Sequence, residues 1–253
     1  MAGAALLGRL SGPLKWTLGE VVDLVAETPG VKSIVLDVPG WPGHRPGQHV
    51  DVRLTDEDGY QAQRSYSIAS APEDGLLTLT VERIEDGEVS PFLVDELRAG
   101  DRFELRGPIG GYFVWEAGTA GHLLLVGGGS GIVPLMAMAR HRVAAGDRTP
   151  ARLLYSARTL EDVIYREELE RLGASGNGFE VVYTLTRDRP PGWTGYDRRV
   201  DADLLAEAGF AERGALAYVC GPTGFVETVA SALVGLGHEP GRIRTERFGP
   251  TGG

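Results

Sequence analysis

The chain has 253 residues, 42% hydrophobic and 24% charged, with a net charge of −10 at pH 7. That length holds one large domain or two ordinary ones with ample core. The acidic balance speaks against non-specific binding to nucleic acid or anionic membrane, which needs a basic surface. A single cysteine, Cys220, excludes both a disulfide within these residues and a cysteine-ligated iron–sulfur cluster, which takes about four thiolates.

Residues 1–13 read as a loosely ordered arm. Their apolar run, Ala4 to Leu7, has no basic residue before it and is too short for a signal-peptide core. No stretch approaches the ~20 apolar residues of a membrane helix, so a cytoplasmic protein is expected. Residues 14–117 hold six β-rich runs: TLGEVVDLVAET, VKSIVLDV, QHVDVRLT, QRSYSIAS, LLTLTVERI and DRFELRGP. Turn pairs such as Pro39-Gly40, Pro46-Gly47 and Asp58-Gly59 separate them, which predicts an antiparallel barrel or sandwich. One helix is expected there, Pro91–Ala99, with Ser90 as its N-cap and Pro91 at the first helical position.

From His122 the pattern changes. The apolar run HLLLV reads as a strand buried on both faces. Strands at ARLLYSA, FEVVYTLT and ALAYVCG then alternate with helices expected at 132–145, 161–172, 201–208 and 224–236. This alternation predicts a parallel sheet with helices on both faces, a Rossmann-like α/β domain over residues 118–253. The small-residue stretch EAGTAG, 116–121, marks the boundary.

Several short patterns can carry chemistry. Gly127, Gly128, Gly129, Ser130 and Gly131 join a strand to a helix, where glycines admit a pyrophosphate and free helix N–H groups meet it. Ile132 stands where a third glycine would complete the usual dinucleotide fingerprint, so a plain tight turn remains open. Arg64 and Tyr66 share one strand face, with Ser65 and Ser67 on the other. A cation beside an aromatic suits a phosphate and a flat ring, and also an ordinary exposed cross-strand pair. Gly87, Val89 and Ser90 open the short helix, as an anion site or a simple cap. Cys220, Gly221 and Pro222 end a parallel strand, on the side where such sheets bind ligands. A lone buried cysteine is also a common core residue.

In order, RSYS, GEVS, GPIGGYF, GGGSGIVP, CGP and ERF closely resemble the ferredoxin–NADP(H) reductase superfamily from about residue 15 to 250. The resemblance implies a flavin-binding barrel followed by a nucleotide-binding α/β domain. It implies that Arg64 contacts the flavin pyrophosphate, Tyr66 packs on the isoalloxazine and Ser67 lies near flavin N5. For Tyr66 and Ser67 both to approach the flavin, the strand must twist or bend between them. Val81, Glu82 and Arg83 match the strand along the flavin. Gly87, Val89 and Ser90 match the phosphate-binding turn. Residues 127–134 resemble the NAD(P)H pyrophosphate loop. Cys220 matches the cysteine beside the nicotinamide, and Glu246 and Phe248 match the terminal acidic and aromatic element, although five residues follow Phe248 here. The stretch from Gly107 to Phe113 resembles FAD-binding rather than FMN-binding members.

Tyr155-Ser156-Ala157-Arg158 ends its strand without an acid, and Thr186-Arg187 resembles the family's pair for the 2′-phosphate. With Arg198 and Arg199 nearby, NADPH is expected over NADH. Ser67, Cys220 and Glu246 would shape the site of hydride transfer. The resemblance, with too few cysteines for a cluster, implies that electrons pass to a separate acceptor protein: a ferredoxin, flavodoxin or oxygenase component. His44, Arg45, Arg53, Arg64 and Arg83 are candidates for its docking patch, and a monomer is expected. An NAD(P)H-dependent flavin or haem-protein reductase, and a non-catalytic nucleotide-sensing or electron-transfer subunit, are the alternatives.

Overall fold

The computed structural model describes residues 14–249; the predicted arm, residues 1–13, lies outside them. Six antiparallel strands come first: β1 (Thr17–Thr28), β2 (Val31–Asp37), β3 (His49–Thr55), β4 (Gln61–Ser67), β5 (Leu77–Glu82) and β6 (Arg102–Ile109), in the order β4-β3-β6-β1-β2-β5. A bridge between Ile68 and Leu79, and the Ala69 N–H donating to Thr78 O at 2.8 Å, join the two outer strands and close the barrel. Alternate residues point inward, as the pleat requires. Ile34 and Leu36 of β2 meet Leu77, Leu79 and Val81 of β5 in a core shared with Val50, Val52 and Leu105.

The second unit alternates β7 (Leu123–Gly128), α1 (Ile132–Ala144), β8 (Ala151–Ala157), α2 (Arg166–Ala174), β9 (Phe179–Leu185), α3 (Ala202–Glu207), β10 (Leu216–Pro222), α4 (Thr223–Gly235) and β11 (Ile243–Phe248). The strands are parallel in the order β11-β10-β7-β8-β9. Central β7 is buried throughout. Leu123 and Leu125 pack on the α1 side with Leu135 and Met136, and Leu124 and Val126 on the α4 side with Val229 and Leu233. Thus HLLLV is apolar without alternation because helices cover both of its faces.

Two predicted helices are shorter than expected. The barrel helix is a single wide turn, Phe92–Glu96, in which the Leu97 N–H donates to Phe92 O. Ser90 does not cap it. Its Oγ accepts from the Ile84 N–H at 3.0 Å and ties the 84–90 turn across its base. The helix expected from Glu161 starts at Arg166. Asp162 instead accepts from the Thr159 N–H and hydroxyl to form a turn, and Tyr165 has φ +58°, which breaks a helical run. Ile243–Phe248, read in the sequence only as a motif, is a full edge strand on β10.

The two units share packing. Val31, Ala69, Phe113 and Trp115 of the first join the core cluster of the second. Arg140 of α1 donates to Ala69 O at 2.7 Å and pairs with Glu168 at 2.6 Å. The Tyr165 hydroxyl meets Thr80 of β5, and the Tyr218 hydroxyl donates to Val114 O at 2.7 Å. No helix among the described residues is long and apolar enough to cross a membrane.

Candidate functional site

The loop from β7 into α1 lies over the end of β10, and its glycines are needed there for distinct reasons. A Cβ on Gly131 would lie 2.2 Å from Cys220 O, so no side chain fits between loop and strand. A Cβ on Gly128 would lie 3.0 Å from the Phe225 ring, and Gly129 takes φ +55°. Ile132, at the fingerprint's third position, is fully buried. In this chain the close approach of helix and strand is made at Gly131 instead. The loop's free N–H groups and the start of α1 face the carboxyl ends of the strands, where an open parallel sheet binds nucleotides.

A cleft of about 580 Å³ runs between the two units. The barrel contributes Glu82, Arg83 and Ile84, together with the Thr28–Val31 turn. The second unit contributes Gly128, Gly129, Ser130, Ser156, Arg158 and Thr186, with Pro222 and Phe248. Phe225, which sequence reasoning missed, also lines it from the first turn of α4. Its signal was an aromatic residue three positions after Pro222, at the helix start that follows Cys-Gly-Pro.

On the barrel, Tyr66 packs against the core cluster, and burial pushes its hydroxyl up to about 12. Val81 and Val89 are fully buried, so only their backbone can face a ligand. Arg64 pairs with Glu88 of the Gly87–Ser90 turn at 2.5 Å, and Arg83 pairs with Asp95 at 2.7 Å. Ser67 ends β4 half-buried and stands in register with His49 of β3. Gly110 of the predicted loop approaches that imidazole; its Cβ would lie 3.6 Å from Nδ1.

His49 connects the barrel to the second unit. Its Nδ1 lies 4.0 Å from Glu246 Oε1, and Glu246 is the register partner of Cys220. Burial pushes the Glu246 carboxyl up to about 7 and lowers His49. Burial, reinforced by the Glu246 charge, also holds the Cys220 thiol well above its ordinary value. Cys220 is therefore a poor thiolate, which suits a packing and shaping role. Glu246 Oε2 is buried without a hydrogen-bond partner. A buried acceptor without a partner, a glycine cradle at a helix start and a cleft with both apolar and polar walls fit a flat ring system bound beside a nucleotide.

The basic positions expected around the ribose are not all together. The Arg187 N–H donates to Arg158 O at 2.9 Å, so these two residues adjoin at the ends of β9 and β8. Arg198 instead pairs with Glu207 at 2.8 Å and lies over Tyr196. Glu161, a carboxylate, lines the cleft that Arg158 also lines. The candidate docking cations are likewise committed to internal partners. Arg53 pairs with Glu104 at 2.7 Å and Arg45 with Glu116 at 3.5 Å, while His44 bonds to Ser70 O at 3.0 Å. With Arg64 and Arg83 also paired, these five residues do not form an unneutralised basic patch.

Residues 32–114 match the oxidoreductase FAD-binding domain family, and residues 125–231 match the oxidoreductase NAD-binding domain family. The chain is 31% identical over 236 residues to the glycine betaine monooxygenase reductase subunit of Pseudomonas aeruginosa, covering 91% of this chain and 63% of that protein. It is 30% identical over 250 residues to the aromatic O-demethylase reductase subunit of an Amycolatopsis species, covering 96% of this chain and 72% of that one. The crystal structure of an Amycolatopsis cytochrome P450 reductase, 29% identical, superposes with a TM-score of 0.82, covering 96% of this chain and 72% of the other. The chain thus spans between 45% and 66% of the length of the first curated relatives it matches. The paired domain matches, the barrel and parallel sheet, and relatives of this identity and coverage show that the chain belongs to the ferredoxin–NADP(H) reductase superfamily.

Proposed function

We propose that this chain is an FAD-dependent oxidoreductase that takes hydride from NADPH and passes electrons to an acceptor protein, a ferredoxin or an oxygenase component. The observation that carries this reading is the interdomain cleft. Its walls carry Gly128–Ser130 of the glycine loop, Pro222 and Phe248 on one side and Glu82–Ile84 of the barrel on the other, while Cys220 and Glu246 are register partners on the adjoining strands β10 and β11. Bound FAD supplies a two-electron acceptor that can release electrons singly. The protein's part is orientation and exclusion of water. Arg64 and the Gly87–Ser90 turn would hold the flavin phosphates, Tyr66 and Phe248 would cover the ring, and Ser67, Cys220 and Glu246 would shape the pocket for the two cofactors. Burial, which pushes the Glu246 carboxyl up to about 7, disfavours its charged form beside that pocket.

The choice of NADPH rests on the adjoining Arg158 and Arg187 with Thr186, and is opposed by the nearby Glu161 carboxylate. The choice of acceptor rests on the relatives, whose names are those of reductase components of monooxygenase and demethylase systems. Anaerobic addition of NADPH or NADH to purified, FAD-loaded protein tests the core of this reading. The expected result is bleaching of the visible flavin bands by both nucleotides, faster at low NADPH than at low NADH. No bleaching by either nucleotide would refute hydride transfer, and a preference for NADH would refute the phosphate assignment alone.

A further inference from the structure

The cation proposed for the flavin phosphate already holds an anion. Glu88, inside the Gly87–Ser90 turn, accepts from Arg64 Nη2 through Oε2 at 2.5 Å and from the Tyr60 hydroxyl through Oε1 at 2.7 Å. Arg64 Nη1 donates to Gln63 O at 2.7 Å, so both terminal nitrogens of the guanidinium are engaged. The two charged side chains are 51% and 48% exposed. Glu88 and Tyr60 also line an open groove of about 470 Å³ with Phe92 and Arg102, which gives a displaced carboxylate room to move. Carboxylate and phosphate use the same guanidinium donors. Two anions on one exposed cation compete, and any phosphate placed near Glu88 also meets its negative charge.

We propose that Glu88 is a built-in competitor for the flavin phosphate, occupying Arg64 until the cofactor displaces it and so setting how tightly the flavin is held. The proposal rests on the reading of Arg64 as a phosphate ligand. Binding exchanges an Arg64–Glu88 contact for an Arg64–phosphate contact, and only the difference appears as affinity. Neutralising Glu88 therefore tightens phosphate-bearing flavins and leaves riboflavin, which has no phosphate, unaffected. An exposed ion pair of this kind corresponds to an effect of about two- to fivefold.

The test is equilibrium titration of the flavin-free full chain with FAD and with riboflavin, followed by flavin fluorescence, for the parent, Glu88→Gln, Arg64→Ala and the double variant. Glutamine keeps the shape of Glu88 at an exposed position, so the fold is retained. The expected result is a two- to fivefold lower Kd for FAD in Glu88→Gln, no change for riboflavin, and a smaller gain when Arg64 is absent. An unchanged FAD Kd in Glu88→Gln, with Arg64→Ala weakened, overturns the competitor and leaves the phosphate reading intact. A gain of equal size for riboflavin, or of equal size without Arg64, also overturns it. An Arg64→Ala protein that binds FAD like the parent refutes the phosphate reading, and the competitor with it.

Discussion

Burial governs the ionisation of Glu246. Its carboxyl is pushed up to about 7 by burial, so the folded protein binds a proton that the unfolded chain releases at lower pH. Stability then falls as pH rises from the ordinary carboxylate range through 7. Glutamine cannot ionise, so Glu246→Gln should escape that loss. Relative to the parent, its melting temperature should be about 2–4 °C higher at pH 8 than at pH 5, corresponding to about 1 kcal/mol. The effect falls well below the full shift because the side chain is 29% exposed and solvent screens its charge. Calorimetry at the two pH values checks it, and a pH-independent difference would contradict the assignment. At the nucleotide end, Arg187→Ala should weaken NADPH binding about tenfold, as for loss of one charged hydrogen bond, and NADH binding less than twofold. Kd values for both nucleotides decide this, and equal losses would remove Arg187 from the 2′-phosphate.

At the scale of elements, the contact between the β7–α1 loop and the end of β10 sets the geometry of the nucleotide site. Gly131→Ala places a methyl group 2.2 Å from Cys220 O and 2.5 Å from its carbonyl carbon, both backbone atoms that cannot swing aside. The strand or the helix start must move, at about 1–3 kcal/mol or more. Urea unfolding should show that loss. Gly241→Ala, with nothing within 4 Å of its Cβ, should stay within about 0.5 kcal/mol of the parent.

At the scale of the molecule, the cleft has a fixed width only if the two units stay docked. Arg140 is central to that docking. It reaches the barrel at Ala69 O, pairs with Glu168 and lies 4.7 Å from the Tyr165 ring centroid. The Glu168 hydrogen bond and charge raise Arg140 above its ordinary value against burial, the largest opposing effect. Arg140→Ala leaves a half-buried carboxylate and a carbonyl without their partner, at about 2–4 kcal/mol. Scanning calorimetry should show a lower melting temperature, with the barrel and sheet units unfolding less cooperatively. A single transition at the parent temperature would show that the shared apolar core alone holds the units together.

Much of the fold was legible in the chain itself. Period-two runs broken by turn pairs specify antiparallel strands, and unbroken apolar runs alternating with helices specify a covered parallel sheet, because these patterns reflect local backbone geometry and burial. The order of short motifs named Arg64, Gly127–Gly131, Cys220 and Glu246 as candidates for the site. The tertiary structure decided what lies between segments far apart in sequence. It set Glu246 beside His49, 197 positions away, and Phe225 against Gly128. It also paired Arg53, Arg83 and Arg198 with carboxylates of other elements, so that cations which looked free in the sequence are neutralised. Residue type and spacing fix which charges and glycines a chain carries. Which of them meet depends on how barrel and sheet dock, and that is set by packing over the whole molecule.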